Sequence, residues 1–241
     1  MSERDLVAVW LGGLDGSTWW EQDADEPVLA ASLVKVPVAM AAEALDLDRP
    51  VLVHPDFDSV VVGQSFELDE AGDQDPDTWT EVGGEQELRE LRRRSIVHSG
   101  NLATNLVVEA TGLAACTAVM PQVVRMIGDQ PATDGGIVNA ASARQWGEVL
   151  TRVATAYDEV EDVMRGQTYR SGIPAGLPAG TAVANKTGWI DGHTHDMAVV
   201  RPDGEAAFVL VVLTRLAGVP NDQAEARIAE VAREAWGRRR P

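Results

Sequence analysis

Ala31-Ser32-Leu33-Val34-Lys35-Val36-Pro37 opens a stretch of helical spacing over residues 33–45, with Val34, Val38, Ala41, Ala42 and Leu45 on one side. Ser32 stands at the N-terminus of that helix. Ser32 and Lys35 are three residues apart, so they share one helix face and the amine reaches the hydroxyl. A helix N-terminus favours negative charge developing on the serine oxygen. A serine hydroxyl is a poor nucleophile until a base takes its proton. A lysine can be that base only when neutral, and a dry cleft or a nearby positive charge lowers its pKa.

Lysine usage points to the same residue. Lys and Arg total 20, yet only Lys35 and Lys186 are lysines. Coding bias accounts for much of that imbalance but not for the two exceptions. A guanidinium stays protonated in proteins, whereas a buried amine can lose its proton and act as a base. Both lysines are therefore candidates for chemistry.

Three short motifs occur in order: Ser32-Leu33-Val34-Lys35 (SxxK), Ser99-Gly100-Asn101 (SxN) and Lys186-Thr187-Gly188 (KTG). Singly each is weak. Together they form the signature set of class A β-lactamases and penicillin-binding proteins. The longer stretches Ala31–Pro37, His98-Ser99-Gly100-Asn101-Leu102-Ala103-Thr104-Asn105-Leu106, Ala184-Asn185-Lys186-Thr187-Gly188 and His195-Asp196-Met197-Ala198-Val199-Val200 also resemble that superfamily. The resemblance implies Ser32 as nucleophile, Lys35 as base and Ser99 as proton relay to the leaving group. It implies that Asn101 holds a substrate amide and that Lys186 and Thr187 grip a substrate carboxylate. The backbone N–H groups of Ser32 and Trp189 would form the oxyanion hole, and Gly188 would let the strand approach the acyl group.

The rest of the chain reads outward from these motifs. Residues 6–12 and 17–22 form a hairpin around Asp15-Gly16. Residues 54–84 are irregular. Helices are expected over 85–95, 101–110 and 113–127, the last interrupted at Pro121. Residues 128–140 form a loop, and Ser142 caps a helix to about Tyr157. Strands follow over 181–187, 195–200 and 207–214, then a closing helix over 222–237. The expected fold class is α+β, β-lactamase/transpeptidase-like, with an antiparallel sheet flanked by helices plus an inserted all-helical lobe. The sheet lobe takes residues 1–31 and 171–241, the helical lobe 32–170, with the site in the cleft between them.

With 241 residues and 45% hydrophobic content the chain suits a globular fold of this size. A formal net charge of −18 disfavours nucleic acid and anionic membranes as partners. No apolar run reaches the length of a membrane span. Met1-Ser2-Glu3-Arg4-Asp5 lacks the basic and apolar character of a signal peptide, so a cytoplasmic location is expected. Cys116, the single cysteine, reads as a buried apolar residue. Trp19, Trp20, Trp79 and Trp146 read as core or cleft-edge aromatics. His193, His195, Asp191 and Asp196 read as a polar hairpin, not a metal site; no metal or cofactor is expected.

The sequence also departs from the class A pattern. Class A enzymes hydrolyse the acyl-enzyme with the glutamate of a Glu-x-x-Leu-Asn motif. Between Met126 and Trp146 there is no glutamate, only Asp129 and Asp134, and Glu148 beyond them reads as a solvated helix residue. Gly100 replaces the usual acid of the second motif, and Thr194 stands near the place of a common carboxylate-binding arginine. The expected function is a serine hydrolase that acylates Ser32 with the amide, ester or β-lactam carbonyl of a small, carboxylate-bearing substrate and releases the acyl group to water. The alternatives are a cytoplasmic acyltransferase of small-molecule metabolism and a penicillin-binding or sensor protein without turnover.

Overall fold

The computed structural model describes residues 4–240; Met1, Ser2 and Glu3, where the N-terminal reading begins, and Pro241 lie outside the described residues. In chain order the elements are β1 (Leu6–Gly13), β2 (Thr18–Gln22), β3 (Val28–Leu29), a 3-10 turn at Ala31–Val34 running into α1 (Lys35–Ala42), β4 (Pro50–Leu52), β5 (Asp56–Asp58) and β6 (Ser65–Glu67). A 3-10 turn at Glu70–Gly72 precedes α2 (Pro76–Trp79), β7 (Glu85–Glu87), α3 (Leu88–Val97), α4 (Asn101–Thr111), α5 (Leu113–Val119) and α6 (Gln130–Asp134). The chain ends with β8 (Ala140–Ala141), α7 (Ala143–Ala156), α8 (Asp158–Arg165), α9 (Ile173–Gly176), β9 (Ala182–Ile190), β10 (His193–Arg201), β11 (Phe208–Arg215) and α10 (Asn221–Arg238). The class is α+β, with an antiparallel sheet flanked by helices. The chain divides into two compact units, Met1–Leu33 with Ala140–Pro241, and Val34–Asn139.

The first unit is built on a five-stranded sheet of order β2-β1-β11-β10-β9, antiparallel throughout. Side chains alternate across a strand, and β1 shows it. Val9 and Leu11 join Val200, Leu210, Val212 and the α10 residues Ile228, Val231, Ala232 and Ala235 in one core. Trp10 points to the other face, where a Cβ on Gly147 of α7 would stand 2.3 Å from its ring. The two helices therefore cover opposite faces of the sheet. Fully burying each Val or Leu side chain contributes roughly 1.5–3 kcal/mol.

The domain boundary differs from the expectation. Residues 140–170, assigned from sequence to the helical lobe, belong to the sheet unit. The reason lies in α7. Trp146, Val149, Leu150 and Val153 form its buried face, and α7 packs on β1, β10 and β11. Its capping box, Ser142 with Gln145, is the start signal expected at Ser142. α8 follows it directly and was not read from the sequence.

The second unit is helical at its centre, where α1 packs on α3, α4 and α5. Expected to be all-helical, it also carries two ribbons, β4–β7 and β5–β6. The helix expected over 85–95 begins later, at Leu88. Residues 85–87 pair instead with β4, and the N–H groups of Leu88 and Arg89 donate to Arg49 O (3.0 Å) and Leu47 O (2.7 Å), which caps the helix there. The helix expected to reach Ile127 stops at Val119. Beyond it Asn139 Oδ1 accepts from Val124 N (2.8 Å) and Arg125 N (3.2 Å), and Asn105 binds both the N–H and the C=O of Ile127. These side-chain bonds hold the segment away from helical geometry.

Candidate active site

In the sheet unit the Lys186-Thr187-Gly188 motif lies in the buried middle of β9. Gly188 meets the turn that carries Ser32. A Cβ built at Gly188 would stand 3.0 Å from Ser32 N and 3.3 Å from both Ala31 Cβ and Leu33 N. Any side chain there would push the strand off the turn, so glycine at this position sets how closely the strand and the serine backbone approach. Ala31, the residue before the serine, has φ +45°. Strain of this kind costs on the order of 1–3 kcal/mol and concentrates at functional sites.

Lys186 is fully buried and its Nζ donates to Thr187 O at 2.7 Å. Thr187 Oγ1 is buried and makes no hydrogen bond among the described residues. A buried hydroxyl without a partner costs free energy unless a ligand or water meets it. Trp189 is half-buried and packs edge-on against Tyr169, with ring centroids 4.8 Å apart.

Three residues neighbour this strand: Asp196 and His195, read from sequence as part of a polar hairpin, and Arg170, which the sequence does not single out. Asp196 lies opposite Thr187 in the β9–β10 register. It is fully buried and accepts from Ile173 N (2.8 Å) and Asn185 Nδ2 (3.1 Å). Burial pushes its carboxyl up to about 7, opposed by those hydrogen bonds and by Lys186. Arg170 Nη1 lies 3.3 Å from Asn185 Oδ1. His195 is structural: Nε2 meets Leu29 O at 2.8 Å and Nδ1 accepts from Thr214 N at 3.2 Å. Burial lowers its pKa to about 4, so it stays neutral.

In the second unit Lys35 begins α1 and is fully buried. Its Nζ donates to Ser99 O (2.5 Å) and Asn101 Oδ1 (2.8 Å) and lies 3.3 Å from Ser99 Oγ. The structure thus brings Lys35, Ser99 and Asn101 together. Burial lowers the pKa of Lys35 to about 7, against the pull of Asp73 and Asp75. A neutral amine has two N–H donors; Ser99 O and Asn101 Oδ1 take both and leave a lone pair. Ser32 and Lys35 lie one turn apart on the single helical segment 31–42.

Ser99 is itself strained, with φ +60°. The turn is held by an acidic loop that sequence reading passed over. Asp73 accepts from Asn101 N, Leu102 N (both 2.8 Å) and Trp79 Nε1 (3.0 Å), which caps α4. Asn101 Nδ2 donates to Gly72 O at 3.2 Å. The available signal was Asp73-Gln74-Asp75-Pro76, a pattern typical of a helix start.

The acids between Met126 and Trp146 have other roles. Asp129 is buried, and its carboxylate accepts from Ser59 Oγ (2.7 Å), Val60 N (3.1 Å) and Ala132 N (3.0 Å). It is the cap of α6. Asp134 is exposed and bonded to Gln130. Glu148, just beyond, is exposed on α7.

Known proteins place this geometry in a family. The profile of the beta-lactamase enzyme family matches residues 2–238. The carbapenem-hydrolyzing beta-lactamase KPC of Klebsiella oxytoca is 33% identical over 171 residues, 61% of this chain and 57% of that protein, so this chain matches a little over half of that relative's length. A beta-lactamase of Amycolatopsis lactamdurans is 30% identical over 88% of this chain and 73% of its own. Among solved structures, an ancestral (GNCA) class A beta-lactamase superposes with a TM-score of 0.79. It shares 25% identity, over 97% of this chain and 94% of that one. With its antiparallel sheet flanked by helices, the chain belongs to the beta-lactamase enzyme family, within the β-lactamase-like superfamily of serine hydrolases.

Proposed function

We propose that this protein forms an acyl-enzyme at Ser32 with the amide, ester or β-lactam carbonyl of a small substrate that bears a carboxylate. The observation that carries the reading is Lys35: a fully buried amine with a pKa near 7, both N–H groups engaged, one helical turn after the serine. In the first step the neutral Lys35 takes the Ser32 proton as Oγ attacks the carbonyl carbon. The Ser32 and Trp189 N–H groups meet the developing oxyanion. Ser99, 3.3 Å from the Lys35 amine, passes the proton to the departing nitrogen or oxygen. Lys186 and the Thr187 hydroxyl, which has no hydrogen-bond partner among the described residues, receive the substrate carboxylate. Asn101 orients the substrate amide.

Release of the acyl group to water is the slow step in this reading. Between Met126 and Trp146, where the class A glutamate is expected, there is no glutamate: Asp129 uses its carboxylate to cap α6, and Asp134 is exposed and bonded to Gln130. This observation favours a second reading, in which the acyl-enzyme persists and the protein acts as a penicillin binder. Intact-protein mass after mixing with a fluorogenic cephalosporin, followed over hours beside Ser32→Ala, tests both. An adduct on the wild type only is expected. Clearance with product supports hydrolysis, persistence supports the binder, and an equal adduct on Ser32→Ala defeats both.

A further inference from the structure

Gly100 has φ −60° and ψ 128°, an ordinary extended conformation that any residue adopts. Its glycine is therefore a matter of space. A Cβ there would stand 2.9 Å from Asp75 Cβ and 3.0 Å from Asp75 Oδ2. The space next to the Ser99-Gly100-Asn101 turn is already filled by a carboxylate from another segment. We propose that Asp75 is a positioning residue for this turn, its carboxylate doing from the loop before α2 what an acid at position 100 would do from within the motif.

The bonds support that role. Asp75 is buried; Oδ2 accepts from Arg94 Nε (2.8 Å) and Thr78 Oγ1 (2.6 Å), and Oδ1 accepts from Arg94 Nη2 (2.5 Å). The same Arg94 accepts through its backbone carbonyl from His98 N (3.1 Å) and Gly100 N (3.3 Å). One arginine thus ties the carboxylate to the backbone on both sides of Ser99. A residue at φ +60° persists only where its surroundings over-determine it, and a bidentate buried pair provides that constraint. Arg94 also pairs with Asp77 Oδ2 (3.1 Å) and Glu90 Oε1 (3.5 Å), so loss of Asp75 loosens the turn without leaving the guanidinium unpaired. Asp73, two residues earlier, caps the other side of the turn at Asn101 and Leu102.

The inference rests on the acyl-transfer reading for its kinetic test and on geometry alone for its stability test. The variants are Asp75→Gly, Gly100→Asp and the exchange Asp75→Gly/Gly100→Asp, with Asp75→Asn as a milder change. Each is measured for the acylation rate by a cephalosporin, well below its melting temperature, and for Tm. Misplacement of the turn in either single variant lowers the acylation rate roughly ten- to a hundredfold. The exchange, which returns one carboxylate to the same space, restores the rate to within about threefold of wild type by the same positional logic. An exchange no better than the worse single variant overturns the proposal, as does Asp75→Asn or Asp75→Gly acylating at the wild-type rate. If the wild type gives no adduct, the acyl-transfer reading falls and the cycle is read in Tm. Positive coupling between positions 75 and 100 then upholds the shared space, and additive effects overturn it.

Discussion

Two of the three signature motifs are held in different ways. The Lys186-Thr187-Gly188 stretch lies on a strand whose register with β10 runs unbroken from Ala182 to Ile190. Backbone hydrogen bonds position it, and side chains at 186 and 187 follow from the alternation of the strand. The Ser99-Gly100-Asn101 turn has no ladder. Side chains from a separate loop, Asp73 and Asp75, and the cation of Arg94 hold it. A site residue on a strand tolerates loss of a neighbouring side chain, whereas a residue on a side-chain-held turn depends on each carboxylate.

The largest effect that would sharpen this contrast is expected at Lys35. Lys35→Arg keeps the charge but removes the base, and acylation should fall roughly 10²–10⁴-fold. Mass spectrometry of the adduct over time checks it. The wild type supplies the matching pH test. Burial lowers the Lys35 pKa to about 7, and the base is the neutral form, so the acylation rate should rise with pH through about 7 and level off above it. A rate independent of pH across that value would assign the proton transfer to another group.

Next in size is the turn. Asp73→Ala leaves the N–H groups of Asn101 and Leu102 and the indole of Trp79 without their acceptor. A loss of roughly 1–3 kcal/mol in stability is expected for each buried donor left unmet, partly recovered by water. Urea unfolding, together with an acylation rate that falls, would show the turn loosening. On the strand, Thr187→Val should be mild. It deletes a hydroxyl with no partner among the described residues, so stability should stay level or rise, while the apparent affinity for a carboxylate-bearing probe falls about three- to tenfold. If Thr187→Val destabilises the fold as much as Asp73→Ala does, the contrast between the two regions is broken. The smallest effect is expected at Glu148, exposed on α7: Glu148→Gln should leave adduct lifetime unchanged, and a longer lifetime would make it the deacylating base.

The residues were legible wherever chemistry or periodicity fixed them. Short apolar runs bounded by glycine and turn residues gave β1, β9, β10 and β11 to within a few residues, and Ser142 marked the start of α7. The ends of helices were legible only where the cap was local. α5 stops at Val119 and the next segment stays irregular because Asn105 and Asn139 bind its backbone from 14 to 22 residues away, which no local pattern records. The boundary of the sheet unit was misplaced for a related reason: α7 is amphipathic, and amphipathicity says that one face is covered without saying by what.

By itself the sequence determined the candidate nucleophile and base, because only two lysines occur in the chain and each stands inside a signature motif. It determined the strands of the sheet, because short apolar runs bounded by turn residues are local properties of the chain. Tertiary structure alone decided that Asp129 caps a helix, that Asp196 lies opposite Thr187 on the neighbouring strand, and that Asp75 fills the space beside Gly100. Each of these is a carboxylate whose role depends on which distant N–H, guanidinium or empty volume it meets. Such meetings are set by packing between segments far apart in the chain, and an aspartate reads the same in sequence whichever of them it makes.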